Sequence, residues 1–185
     1  MRRVCVFCGA NVGDLPEYAE AARAMGRALA SQGLELVFGG GNIGLMGVVA
    51  DTVLEHGGRV TGVIPRALEE RELAHRGVTD LRVVESMHQR KAMMEELSDA
   101  FIALPGGIGT FEEILEILTW AQLDLHPKPA GLLNVAGYYD LLLGLLEKAV
   151  ASGFMPESSL NALYTDTDAA ALIEACRQNG AVGGP

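Results

Sequence analysis

Short apolar, β-branched runs alternate with longer amphipathic stretches along nearly the whole chain. This is the feature that most restricts what it can fold into. The strand-like runs fall at residues 3–8, 34–38, 59–64, 80–84, 100–104 and 130–134, with a weaker seventh at 163–165. Several are continuously apolar, as strands covered on both faces are. Helical patterns lie between them at 16–32, 45–56, 87–97, 110–123, 138–152 and 166–179. The first has Pro16 in its opening turn and stops at Gly33, a matched start and stop pair. Such β-α-β alternation predicts an α/β chain: a doubly wound parallel sheet of about six to seven strands in three layers. Ligands in such folds bind beyond the carboxyl ends of the strands. With no linker, repeat or low-complexity segment in sight, the expectation is one domain over 1–180 and a frayed tail over 181–185. The longest irregular connection, 65–79, carries several charges and is a candidate to fold over the site or to pack at a subunit contact.

Composition narrows the partners. The 185 residues are 49% hydrophobic and 21% charged, which suits a globular protein with one well-filled core. The formal net charge is −10, which repels both the nucleic-acid backbone and anionic lipid, so neither is an expected partner. An anionic ligand must then be held locally, by helix N-termini and a few placed cations. No apolar run approaches the roughly 20 residues of a membrane span, and the start Met1-Arg2-Arg3-Val4 lacks a signal-peptide pattern. A cytoplasmic location is expected. Cys5 and Cys8 make a C-x-x-C match inside a strand, where three residues span about 10 Å, beyond disulfide reach. They read as core thiols, and no second Cys or His pair completes a metal site.

Three glycine-bearing turns follow strands. Cys8-Gly9-Ala10-Asn11 is the first; by itself it reads as a tight strand-to-helix turn. The second, Gly39-Gly40-Gly41-Asn42-Ile43-Gly44, contains a literal G-x-G-x-x-G. A dinucleotide site would also need an acid ending the next strand, which instead ends Val63-Ile64-Pro65. Lining of a smaller ligand by Gly40, Gly41 and Asn42 remains the expectation.

The third turn carries most chemistry: Pro105-Gly106-Gly107-Ile108-Gly109-Thr110-Phe111-Glu112-Glu113. Gly106, Gly107 and Gly109 can present main-chain amides unobstructed just where a helix begins, and helix N-termini attract phosphate. The lysine of a P-loop is missing. A plainer alternative is that Thr110-x-x-Glu113 is a capping box closing a helix that starts at Thr110. Upstream, Met87-His88-Gln89-Arg90-Lys91 opens another helix and puts adjacent cations in an acidic chain. Lys91 could equally pair with Glu95 on a solvated face, and His88 reads as a helix-start residue.

The combination of these last two motifs with residues 39–47, and with Gly131-Leu132-Leu133-Asn134 and Gly137-Tyr138-Tyr139, resembles the LOG ("lonely guy") family. These are cytokinin riboside 5′-monophosphate phosphoribohydrolases, often mislabelled lysine decarboxylases. The likeness extends over nearly the whole chain. It implies a Rossmann-like or flavodoxin-like fold, a homodimer with some relatives larger, and hydrolysis of AMP or an N6-substituted AMP to free base and ribose 5-phosphate. It places the catalytic pair on Arg90 and Glu113, and substrate contacts on Glu72, Lys91, Gly106, Gly107, Ile108, Gly109, Thr110, Phe111, Glu112 and Thr119. Met87, beside the cations, and Gly9 complete the expected contacts. Asn42, Ala10 and Asn11 stand where relatives often carry small Ser residues, a difference that bears on polar contacts near the sugar. No cofactor and no metal are expected. The alternatives are a non-catalytic nucleotide carrier of the same fold, and a nucleosidase accepting other bases.

Overall fold

The computed structural model describes residues 1–69, 71 and 74–180. Its seven strands are β1 (Arg3–Phe7), β2 (Glu35–Phe38), β3 (Val60–Pro65), β4 (Asp80–Val84), β5 (Ala100–Ala103), β6 (Ala130–Leu133) and β7 (Leu163–Asp166). They form one parallel sheet in the order β4-β3-β2-β1-β5-β6-β7. The helices α1 (Pro16–Ser31), α2 (Gly44–Glu55) and α8 (Ala169–Gly180) cover one face. On the other lie α4 (Met87–Leu97), α5 (Ile108–Gln122) and α6 (Asp140–Ala151). This is the expected doubly wound, three-layer arrangement.

The period of two in the strands builds both cores. In β1, Val4 and Val6 face the α1/α2/α8 layer, whereas Cys5 and Phe7 face the α4/α5 layer. Leu36 and Phe38 of β2 take the first face and Val37 the second. That double coverage is why the central strands read as unbroken apolar runs. Burying a side chain such as Phe38 or Phe101 contributes about 1.5–3 kcal/mol relative to exposure. At the edge, β4 is only partly covered, and its Arg82 pairs with Asp80 at 2.9 Å in solvent.

Topology positions the site. From β1 the chain winds outward through β2 and β3 to β4, then returns along α4 to β5, which lies on the other side of β1. The strand order therefore reverses between β1 and β5, and their carboxyl ends flank a crevice.

Several boundaries differ from the sequence expectation. Helix α5 starts at Ile108, two residues before Thr110. Helix α8 starts at Ala169 instead of 166, because Asp166 closes β7 and the Asp168 carboxylate accepts from the Ala171 amide at 2.8 Å. Helix α6 starts at Asp140, after a 3-10 turn over Val135–Gly137. The short helices α3 (Arg66–Glu69) and α7 (Glu157–Asn161) had no separate pattern. In the connection 65–79, Ala74 bridges back to Gly41. The tail 181–185 lies outside the described residues.

Candidate active site

Three turns meet at the switch point. The Gly9 amide donates to the Pro105 carbonyl at 3.1 Å, and the Leu45 amide donates to the Gly9 carbonyl at 2.9 Å. The ends of β1 and β5 and the start of α2 are thereby tied together. They border a cavity of about 500 Å³ whose wall also includes Asn11, Tyr18, Met87, Arg90, Glu113 and Tyr138.

The start of α5 forms one side. Its N-cap is Gly107, with no side-chain cap, and its first helical bond runs from the Phe111 amide to the Gly107 carbonyl at 3.1 Å. The amides of the opening turn have no acceptor within the helix and form its positive end. Thr110 is the third helical residue and is buried, so it is not an N-cap, and the Thr110/Glu113 capping box does not form. Gly106 is forced by packing: a Cβ would lie 2.2 Å from Thr110 Oγ1. At Gly107 and Gly109 a Cβ would meet nothing within 4 Å.

A buried ion pair links α4 to α5 at the same cavity. Ser86 caps α4, its hydroxyl accepting from the Gln89 amide at 3.2 Å. One turn in, Arg90 reaches under the crevice. Its Nε donates to the Val63 carbonyl at 3.2 Å and its Nη2 to the Gly39 carbonyl at 3.3 Å. Nη2 also lies 3.7 Å from Glu113 Oε1, with the two side chains only 8% and 12% exposed. Breaking a buried pair by removing one partner costs about 3–5 kcal/mol, so each charge depends on the other. Gly39 makes room: a Cβ there would sit 1.9 Å from Arg90 Nη2.

The cysteines form no disulfide, and Cys8 borders the cavity. Cys5 and Cys8 are buried and unpaired, and belong to the two opposite cores. Burial pushes both thiols well up, and the negative charge of Glu113 adds to it.

Of the residues singled out in the sequence, Gly9, Met87, Arg90, Gly106, Gly107, Ile108, Gly109, Thr110, Glu112 and Glu113 border the cavity. Others lie around it. Lys91 sits beneath, its Nζ bound to Glu112 at 2.5 Å and Glu116 at 2.8 Å and not to Glu95. Burial pulls its pKa down, but the two carboxylates outweigh this and raise it. Phe111 packs against Tyr138 and Tyr139. Thr119 is further along α5, exposed, and its hydroxyl donates to the Leu115 carbonyl at 2.7 Å. Gly40 and Gly41 are held by the 74–75 segment, with the His75 amide donating to the Gly40 carbonyl at 2.9 Å. Asn42 is exposed and precedes α2. Glu72 lies outside the described residues. Sequence reasoning gave no role to Asp14, Tyr18 or Tyr138, which share the cavity wall. Among the described residues, Arg90 is the cation on that wall, against Asp14, Glu112 and Glu113.

Residues 46–176 match a family model described as "Possible lysine decarboxylase". A pyridoxal-type decarboxylase needs a lysine in its pocket. The chain's three lysines lie elsewhere: Lys91 with its carboxylates, Lys128 against Glu95, and Lys148 exposed on α6. The probable cytokinin riboside 5′-monophosphate phosphoribohydrolase LOGL1 of Oryza sativa subsp. japonica is 55% identical over 153 residues, covering 83% of this chain and 69% of the relative. The cytokinin riboside 5′-monophosphate phosphoribohydrolase LOG3 of Arabidopsis thaliana is 50% identical over 173 residues, covering 94% of this chain and 80% of the relative. Among solved structures, the molybdenum cofactor carrier protein of Chlamydomonas reinhardtii superposes with a TM-score of 0.74 at 22% identity, over 97% of this chain and 98% of that one, which shows a shared fold.

Proposed function

The chain belongs to the LOG family of cytokinin riboside 5′-monophosphate phosphoribohydrolases, and from that premise we propose that it cleaves the N-glycosidic bond of AMP and N6-substituted AMP. The products are the free base and ribose 5-phosphate. The observation that carries this reading is the buried Arg90–Glu113 pair, on the wall of the same cavity as the uncapped start of α5.

Each part has a task in the chemistry. The phosphate rests on the amides of the 106–110 turn, at the positive end of α5. That binding energy, remote from the reacting bond, holds the ribose against Glu113. Cleavage passes through an oxocarbenium-like state, with positive charge on the ribose and negative charge on the departing base. The Glu113 carboxylate stabilises the ribose charge and orients a water toward C1′. The C1′–N bond breaks, the water oxygen bonds to C1′, and the proton it loses is returned to the base. Arg90, pinned by the carbonyls of Gly39 and Val63, is a fixed cation that supports the departing negative charge. It also holds the Glu113 carboxylate in place.

Incubation with AMP, isopentenyl-AMP, GMP and CMP, followed by chromatography for free base, tests the reading and orders the bases. Binding of AMP without release of adenine would make the protein a carrier. The working unit in this proposal is a cytoplasmic homodimer. No helix among the described residues is long and apolar enough to cross a membrane. Leu141 and Phe154, 90% and 88% exposed, leave apolar surface near α6 of the kind subunits bury. Sedimentation velocity would show a single chain sedimenting alone if the dimer is wrong.

A further inference from the structure

We infer that Tyr138 is a positioning residue for the phosphate-binding turn, acting through one hydrogen bond from its hydroxyl to the Gly106 carbonyl. The inference rests on the proposed binding of a 5′-phosphate by the 106–110 turn. A peptide unit is planar and trans, so its carbonyl and its amide point in opposite directions. Whatever fixes the Gly106 oxygen therefore also aims the Gly107 amide. Three consecutive carbonyls of this turn are held in this way. Leu104 accepts from the Tyr139 hydroxyl at 2.6 Å, Pro105 accepts from the Gly9 amide at 3.1 Å, and Gly106 accepts from Tyr138.

The middle and last of these matter for a ligand. The unit Leu104–Pro105 has no amide hydrogen, so Tyr139 braces the strand end and aims no donor. Pro105 and Gly106 carbonyls are fixed on the side facing Gly9 and Tyr138, which leaves the Gly106 and Gly107 N–H groups directed away from those partners. Gly107 has neither a side chain nor a close neighbour at its Cβ position to hold it. Without the tyrosine, the peptide before it would sample several orientations and lose that freedom on binding.

The protein holds Tyr138 itself firmly. Its ring packs edge-on against Tyr18 at 5.6 Å and against Tyr139 at 5.1 Å. The turn that presents both tyrosines is closed by Asn134, which accepts from the Tyr139 amide at 2.7 Å and donates to Asp140 at 2.7 Å. Within that turn Ala136 adopts φ 52°, a left-handed conformation unusual for a residue with a Cβ. Strain of this sort persists where the surroundings fix a local geometry.

Tyr138→Phe tests this, because it keeps the ring and its edge-on contacts and removes only the hydroxyl. Calorimetric titration with ribose 5-phosphate, well below each protein's melting temperature, should show binding weakened about tenfold, the loss expected for one hydrogen bond. With AMP, KM should rise by a similar factor while kcat changes little. With adenosine, which has no phosphate, kcat/KM should stay within about twofold of the parent. Tyr139→Phe is the comparator: it should lower the melting temperature and leave ribose 5-phosphate affinity within about twofold. Unchanged ribose 5-phosphate affinity in Tyr138→Phe, or equal losses with AMP and adenosine, would overturn the assignment. The binding arm needs no turnover. A parent protein that binds ribose 5-phosphate but releases no adenine would sink the proposed hydrolysis and leave this assignment standing.

Discussion

Two glycine-rich turns flank the same crevice, and they differ in how many of their glycines the surrounding chain demands. In the turn after β2, the protein itself demands them. Gly39 makes way for the Arg90 guanidinium, and Gly44 has φ +60° with the Ala10 backbone 2.2 Å from where a Cβ would be. In the turn after β5, Gly107 and Gly109 have no such neighbour and no left-handed φ. The first turn and Gly106 are packed against the protein's own chain, whereas Gly107 and Gly109 border the cavity with open space at their Cβ positions. Within the G-x-G-x-x-G string of the first turn, Gly39 makes way for Arg90 and Gly44 for the Ala10–Asn11 backbone. The second turn is the one we propose to hold the phosphate. Glycine count alone does not distinguish them; what the missing Cβ would touch does.

The difference can be broken by substitution, and the largest effect is expected at Gly39. A methyl group there collides with Arg90 Nη2, a buried neighbour pinned on two carbonyls. Gly39→Ala should lower kcat/KM for AMP on the order of 100-fold, close to the loss expected for Arg90→Ala or Glu113→Ala. The three are compared by adenine release under one set of conditions. Full activity in Gly39→Ala would mean that Arg90 can leave its place without consequence, and near-normal turnover in Glu113→Ala would remove the carboxylate from the mechanism. At Gly44 the damage should go to the fold. Its left-handed φ and backbone clash together predict about 3 kcal/mol of destabilisation for Gly44→Ala, a fall in melting temperature of roughly 6–12 °C. A melting curve matching the parent would show that the α2 start can shift away from Ala10.

The same comparison marks how far the sequence could be read. Periodicity was enough for the parallel sheet, because central strands covered on both faces leave an unbroken apolar record such as Val4–Phe7 within β1. The motifs at 87–91 and 105–113 carried the family resemblance that implied Arg90 and Glu113, whose carriers α4 and α5 pack on the same face of the sheet. The start of α5 was misplaced at Thr110, since a Thr with a Glu three residues on looks like a cap whether or not it closes. Tyr138 was passed over for a different reason. Its partner carbonyl is 32 residues away, and nothing local to Gly137-Tyr138-Tyr139 encodes that meeting. For Lys91 the helical spacing offered only Glu95, and the packing of α4 on α5 brings Glu112 and Glu116 to it instead.

The smallest expected effect sharpens the contrast most, because stability and binding should move in opposite directions. Gly109 is the second residue of α5, and a Cβ there enters open space. By helix propensity alone, Gly109→Ala should stabilise the fold by about 0.5–1 kcal/mol, raising the melting temperature by roughly 1–4 °C. A phosphate seated on the opening amides of α5 would meet that methyl group. KM for AMP should therefore rise several-fold while kcat stays near the parent value. Gly107→Ala, at the N-cap, should show a similar rise in KM with little change in melting temperature. Thermal melts and initial-rate kinetics on the same preparations check both halves. A more stable Gly109→Ala protein with unchanged KM would mean that the phosphate does not approach α5 here, and the turn after β5 would then be as purely architectural as the one after β2.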